Sequence, residues 1–429
     1  MLDFIVIIKL KTCHVLPKKM TEKKKLYRSK ILKELYFENC LSCADLSVRI
    51  EKSFPVTAKL LEQLIKDNLV VEAGYTASTG GRPAHAYDIK RDVMYLVSVA
   101  MDQFVTKIAI MDMRNNKVCP LENIALPLFD NPDALDILAD KITAAIKRSG
   151  LAKEKFIGIG IGMPGFVDVK NGVNYSHLKL PGSSSITKYL SRKTGLPVLI
   201  DNDSSLIALA ELRFGETRGE KDVMVINIGW GIGLGLILEG KLYRGQEGFA
   251  GEFSHIPLYL NKKLCWCGKT DCLETETSLI LIIEKAREGI RSGRISRLRS
   301  LPVDDPEMAC EEFIQAVKDG DQFAIELLSK AAYNLGKGVA ILIHLLNPKK
   351  IILSGRGASA GLVWKAPIEQ ALNEHCIRRL HQDTTIEIST LGMQAELIGA
   401  AALVMENYER LPEQKNEMIS AYMNSSTNG

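Results

Sequence analysis

The residues of this 429-residue chain best suited to chemistry are one imidazole and three thiols that lie close together in sequence. His255 is followed by Cys265, Cys267 and Cys272. Three thiolates and an imidazole make the donor set of a tetrahedral Zn2+ shell, and a shell filled by four protein ligands is structural, because no position stays open for a substrate. The spacing therefore predicts Zn2+ on His255, Cys265, Cys267 and Cys272, with binding coupled to folding. No basic helix follows the cysteines, which argues against a zinc finger on DNA. Of the nine cysteines, Cys40 and Cys43 form a spaced pair and four others are scattered singly. That is not a secreted disulfide framework; it indicates a reducing, cytoplasmic location. Cys40 and Cys43 lack a second ligand pair nearby and read as residues that pack helices.

The segments around these ligands read as strands alternating with helices. Tyr95–Met111 reads as two apolar strands broken near Asp102. Lys155–Gly162 reads as a buried strand running into a glycine-rich turn, Gly158 to Gly165. Pro197–Ile200 is a short strand ending in Asp201-Asn202-Asp203, with a helix over Ser204–Phe214. Val223–Ile228 is a strand followed by Gly229-Trp-Gly-Ile-Gly-Leu-Gly235. Such alternation is α/β architecture, with ligands at strand ends. A glycine-rich turn alone also fits a tight hairpin.

The front of the chain differs in charge. Residues 1–92 hold 17 Lys+Arg and 11 Asp+Glu, although the whole chain is only +4. A basic front on a slightly acidic body suggests a nucleic-acid module, though a solvated surface can carry the same charge. Tyr27, Ile31, Leu32 and Leu35 fall at helical spacing between Lys25 and Glu38. Ser42 can cap a second helix, with Asp45 in its first turn and Leu46 and Ile50 turned inward. Ser53 can cap a third, with Pro55 in its first turn. Leu60, Leu61, Leu64 and Ile65 form its expected buried stripe, and Thr57, Lys59, Gln63 and Lys66 lie on other faces. Two short helices with a tight connection make a helix-turn-helix, whose second helix offers its first turns to base edges. Leu69–Glu72 and Ala86–Ile89 flank Gly80-Gly81-Arg82-Pro83, a strand–tip–strand wing with Arg82 suited to a narrow minor groove. The candidate DNA contacts are Thr57, Lys59, Gln63 and Arg82. A protein-binding module is the competing reading.

Composition sets the outer bounds. Hydrophobic residues at 46% and charged residues at 25% exclude a wholly disordered chain, a collagen-like fibre and a polytopic membrane protein. No apolar run approaches the roughly 18 residues that span a bilayer, so no membrane insertion is expected. Leu2–Leu10 is broken by Asp3 and Lys9 and lacks a cleavage site, which argues against a signal peptide. Met20 is an alternative start to Met1.

Several motifs together resemble the ROK family of repressors, open reading frames and sugar kinases, from about Leu26 to about Tyr408. Met163-Pro-Gly-Phe-Val-Asp168 is similar to its sugar-side turn, and Asn202-Asp203 to the pair that grips the sugar. Ala250-Gly-Glu-Phe-Ser-His255, the segment Cys265 to Glu274, and Ala395 to Ala401 resemble the family's Ala-Gly-Glu…His element, zinc signature and C-terminal helix. The resemblance implies a two-lobed actin-like, ribonuclease H-like sugar-kinase fold behind a winged helix-turn-helix. It places sugar contacts at Gly165, Asn202, Asp203, Glu252, His255 and Glu274. Carboxylates and an amide suit a ring of hydroxyls on chemical grounds as well.

The kinases of the family carry Asp-x-Gly-Gly-Thr-Lys, where this chain has Asp102-Gln-Phe-Val-Thr-Lys107. Trp230 stands in the second phosphate loop, and Leu353-Ser-Gly-Arg356 replaces a glycine run. All three nucleotide elements are altered while the sugar and zinc elements remain. The expectation is a sugar-responsive transcriptional regulator without enzymatic activity, a repressor of the branch answering to N-acetylglucosamine, xylose or glucose. The alternative is an ATP-dependent sugar kinase with an appended DNA-binding domain and Asp203 as its base; a protein-binding scaffold is the third reading. Expected partners are operator DNA, a sugar or sugar-phosphate effector, a second or fourth copy of the chain (homodimer or homotetramer), and a protein of a sugar-uptake system. The expected organisation is an extension over 1–24, the winged helix-turn-helix over 25–92, lobe 1 over 93–201, lobe 2 over 202–390, a helix over 391–410 returning to lobe 1, and a flexible tail over 411–429.

Overall fold

The computed structural model describes residues 22–76, 83–180 and 185–411. The chain divides into two compact units, residues 1–88 and 89–429.

The first unit contains α1 (Glu22–Phe37), β1 (Leu41–Ser42), α2 (Cys43–Arg49), α3 (Phe54–Lys66), β2 (Val70–Tyr75) and β3 (His85–Ile89). The strands pair in the order β1-β3-β2. Helix α1 begins inside the segment expected to be an extension. Ile31, Leu35, Leu46, Leu61 and Leu64 are buried and form the core between the helices. Ser42 and Asp45 close a capping box on α2, each side chain bonding the other's backbone N–H at 3.1 Å. Arg28 reaches Asp67 at 2.6 Å and ties α1 to the end of α3.

Three expectations here need correction. Ser53 occupies the N-cap of α3, but its side chain makes no capping bond. Thr57 is fully buried and its hydroxyl donates to the Ser53 carbonyl at 3.2 Å, while Ile65 is 36% exposed. Position 57 lies three, four and seven residues before Leu60, Leu61 and Leu64, so helical geometry puts it on their face and leaves Ile65 at its margin. Cys43 is buried, but Cys40 is exposed in a left-handed turn (φ 56°) with its Sγ 3.7 Å from Asp88 Oδ2, so only one of the pair packs against the helices.

The second unit holds two five-stranded sheets of the same design. The first is built from β4 (Tyr95–Met101), β5 (Val105–Met111), β6 (Glu122–Ala125), α4 (Ala134–Arg148), β7 (Phe156–Met163), the ribbon β8 (Val167–Asp168) and β9 (Val173–Asn174), α5 (Ile186–Thr194) and β10 (Val198–Asn202). Its order is β6-β5-β4-β7-β10, with β4, β5 and β6 antiparallel and β4, β7 and β10 parallel. After α6 (Asp203–Phe214) come β11 (Val223–Ile228), β12 (Ile232–Leu238), β13 (Lys241–Tyr243), α7 (Glu274–Thr277), α8 (Leu279–Arg291), α9 (Pro306–Lys318), α10 (Gln322–Leu346), β14 (Lys350–Ser354), α11 (Lys365–His375), α12 (Arg378–His381), β15 (Thr385–Ile388) and α13 (Ala395–Glu406). The second sheet repeats the pattern as β13-β12-β11-β14-β15, an antiparallel meander joined to parallel strands. The central strands β4 and β11 are buried along their whole length, as parallel strands covered on both faces must be. Among the described residues no helix is long and apolar enough to cross a membrane.

The sequence places the glycines at 158, 160 and 162 in both the strand over Lys155–Gly162 and the turn from Gly158 to Gly165; they lie within β7. They are small because α13 packs directly on the strand: a Cβ at Gly160 would stand 1.9 Å from the Ala400 carbonyl oxygen. Only Gly165, at φ 91°, belongs to the turn beyond the strand. Gly160→Ala is expected to cost about 1–3 kcal/mol, the usual penalty for overpacking. A urea titration giving an unchanged midpoint would contradict this packing.

Candidate functional site

The carboxyl ends of β7, β10, β11 and β14 open onto one cleft in the second unit, the usual place for a ligand in α/β sheets. Gly165, Asn202, Asp203, Glu252, His255 and Glu274 all line it. Asn202 caps α6: its Oδ1 accepts from the N–H groups of Ser204 at 2.9 Å and Ser205 at 3.2 Å, and its Nδ2 donates to the Gly165 carbonyl at 3.2 Å. It therefore fastens the Gly165 turn to the helix and keeps one amide proton for a ligand. A Cβ at Gly165 would meet the Ser176 side chain at 2.5 Å, so the tight turn requires glycine.

Asp203 opens α6 beside this cap. Its Oδ2 accepts from Asn227 Nδ2 at 3.2 Å. Burial pushes its carboxyl up to about 6, with the charge of Asp102 adding to the effect and the Ser204 N–H and hydroxyl opposing it. Burial also raises Glu252, to about 7, with Asp203 and Glu274 contributing. Glu274 is anchored by the Trp266 indole N–H and by the Ile232 N–H at 3.4 Å. Asn227 escaped the sequence reading, as did Arg244, which grips the buried Asp201 at 2.6 and 2.9 Å behind the site. Neither belongs to a local motif that would have drawn attention to it.

The cleft wall carries the metal-ligand set. One donor atom each from His255, Cys265, Cys267 and Cys272 lies within 4.8 Å of all the others. His255 Nδ1 stands 3.6 Å from Cys265 Sγ, and Cys267 Sγ stands 3.7 Å from Cys272 Sγ. Those separations match the edges of a tetrahedron with bonds of about 2.1–2.3 Å, and they are far too long for a disulfide. The residues thus fit a tetrahedral metal ion. His255 Nε2 lies 3.7 Å from Glu252 Oε2, so the imidazole links the ligand set to the cleft floor.

The corner holding the altered motifs is filled by side chains. Trp230 is 4% exposed and stands edge-on to Phe104 at 5.3 Å between ring centroids. The Arg356 guanidinium stacks on the same indole at 4.2 Å and pairs with Asp102. Asp102 Oδ1 accepts from the N–H groups of Phe104 and Val105, both at 2.8 Å. Glu307 completes the corner, 3.3 Å from Arg356 and 3.8 Å from Lys107.

In the first unit, Lys59 is exposed and Gln63 half-buried on α3. Thr57, turned into the core, is not available to a base edge. Arg82 lies outside the described residues.

Residues 106–407 match the ROK family. The chain belongs to the ROK family. Within it, a xylose repressor of Caldicellulosiruptor bescii is 27% identical over 408 residues, covering 91% of this chain and 98% of that protein. A glucokinase of Halalkalibacterium halodurans is 33% identical over 282 residues, covering 65% of this chain and 85% of that enzyme. Among solved structures, a ROK family transcriptional regulator described as a homologue of the E. coli MLC protein superposes with a TM-score of 0.73 at 27% identity, covering 92% of this chain and 99% of that one. The two sheets of the second unit are thus the lobes of the ROK actin-like fold, and the cleft between them is the ROK cleft.

Proposed function

We propose that this ROK protein is a sugar-responsive transcriptional regulator, a repressor of carbohydrate-utilisation genes. The first unit, a winged helix-turn-helix over about 25–92, reads operator DNA through α3, with Lys59 on its open face and Gln63 at its margin. The cleft between lobe 1 (93–201, with the helix over 391–410) and lobe 2 (202–390) binds a sugar or sugar derivative through Gly165, Asn202, Asp203, Glu252, His255 and Glu274. The observation that carries this reading is coverage. A match to a repressor over 91% of the chain cannot be contained in residues 89–429, so it takes in part of the first unit.

Zn2+ is the metal the three thiolates and one imidazole favour, and it serves the fold, since the protein fills every position of the shell. Asp203 and Glu252 accept hydroxyl protons of the sugar, Asn202 holds the turn beneath it, and His255 orients Glu252. Sugar binding changes the lobe angle and, in a homodimer or homotetramer, the spacing of the DNA-reading units. It shifts operator affinity only as far as the sugar prefers one arrangement over the other. A protein of a sugar-uptake system is a further partner by family resemblance. Lys59→Ala is expected to weaken binding to duplex DNA from the gene's own control region and to lower the salt slope by about one. Fluorescence anisotropy at several salt concentrations measures both, and an unchanged slope would remove Lys59 from the interface.

The likeness to a glucokinase and the presence of Asp203 support a second reading, an active sugar kinase. Against it stand Phe104, Trp230 and Arg356, which fill the corner where nucleotide phosphates need backbone and open space. A coupled ADP-release assay over a hexose panel separates the two. The regulator reading expects no sugar-dependent release; release abolished by Asp203→Asn would establish the kinase.

A further inference from the structure

The filled corner contains an anion cradle already occupied by the chain's own carboxylate. A phosphate is bound by convergent N–H groups and a guanidinium, the donors that make strong charge-assisted bonds. Such donors converge here on Asp102. The N–H groups of Phe104 and Val105 reach its Oδ1 at 2.8 Å each, and Arg356 takes its Oδ2. Arg356 is held in place from behind by the Trp230 face at 4.2 Å and by Glu307 at 3.3 Å. Lys107, the other cation at the cleft, is 3.8 Å from the same Glu307. A second N–H cradle, at the start of α6, is closed by Asn202 Oδ1 on Ser204 and Ser205. The Arg356 guanidinium and these four N–H groups are therefore already taken, while Lys107 makes only a long contact with Glu307. Glu396 also lines the cleft; its Oε1 is buried without a hydrogen-bond partner, and burial with the charges of Asp203 and Asp102 holds its carboxyl well above the usual carboxylate range.

We infer that Asp102 is an internal anion standing in for phosphate, so that the cleft accepts an unphosphorylated sugar and turns phosphorylated ligands away. The choice of sugar class rests on the sugar-binding reading above; the occupied cradle does not. Asp102 thus sets specificity by holding donors that a phosphate would otherwise use. Removing it frees one guanidinium and two N–H groups at once.

Isothermal titration of the full chain, with its metal, tests both parts. The probes are glucose and glucose 6-phosphate, N-acetylglucosamine and its 6-phosphate, and pyrophosphate. The wild-type chain is expected to bind one of the free sugars at least about tenfold tighter than its phosphate, the discrimination expected for donors left unavailable to a charged ligand. Asp102→Ala is expected to gain about tenfold or more for pyrophosphate or a sugar phosphate. Asp102→Asn keeps an oxygen on the two N–H groups while removing the charge, and its gain should be smaller. A wild-type chain that binds a sugar phosphate as tightly as the free sugar would overturn the inference. So would an Asp102→Ala chain that melts cooperatively yet shows no gain for any anion. If no sugar binds in either form while Asp102→Ala still gains pyrophosphate, the sugar reading falls and the internal anion stands.

Discussion

Chelating the metal, or replacing Cys272 by Ser, is expected to unfold the zinc loop and to lower the melting temperature of the second unit by roughly 10 °C or more. Cys272 is fully buried and Cys265 only 4% exposed. Their loop is also held by backbone bonds, among them Cys265 N–H to the Lys269 carbonyl at 2.7 Å and Leu258 N–H to the Asp271 carbonyl at 3.0 Å. Structural zinc contributes about 10–16 kcal/mol of binding free energy in small peptide systems, as much as the whole stability of many domains. The loss extends to the cleft, because His255 belongs to the ligand set and touches Glu252. Sugar binding should therefore disappear with the metal. Elemental analysis of the purified chain should give one zinc per chain, falling to none in Cys272→Ser, alongside the thermal melt. A chain purified without metal, or a Cys272→Ser chain that melts like the wild type, would refute the structural role.

Asp203→Asn is expected to weaken sugar binding about a hundredfold, the upper range for a hydrogen bond to a charged group. The same substitution should change the dependence of stability on pH. Burial holds the carboxyl at about 6 in the folded chain, while an unfolded aspartate titrates near 3.9. The folded state therefore binds the proton more tightly. Its stabilising contribution is complete below about pH 4 and is lost as pH rises through 6. At pH 7.5 the wild-type chain carries a charged, desolvated Asp203, and the asparagine variant does not. Asn227 Nδ2 can still donate to the new amide oxygen, so the local bond survives in one orientation. Urea titrations at pH 5 and pH 7.5 should show a smaller fall in stability for the variant than for the wild type. Equal falls, or an unchanged sugar affinity, would remove Asp203 from the proposed role.

How far the sequence could be read follows from the distance over which each constraint acts. The four candidate metal donors span 18 residues and their types alone name the chemistry, so the cluster is legible locally. The capping box of α2 is equally local. Thr57 lies on the face that Leu60, Leu61 and Leu64 define, where a hydroxyl is not expected, and the Ser53 carbonyl satisfies it inside the core. The strand over Lys155–Gly162 is legible locally, but the reason its glycines are small, Ala400 on α13, lies far along the chain. The bulky residues at 104 and 230 could be seen to disturb a phosphate site. That Asp102 then occupies the cradle depends on Arg356, 254 residues away, and required the fold.

The most direct test of the account is operator binding with and without sugar. Fluorescence anisotropy would follow duplex DNA from the gene's own control region against the full chain, wild type and Asp203→Asn. The account predicts saturable, sequence-selective binding with a steep salt slope, shifted by one sugar of a panel in the wild type and unshifted in Asp203→Asn. Binding no tighter than to random duplex, or a sugar shift that persists in Asp203→Asn, would contradict it.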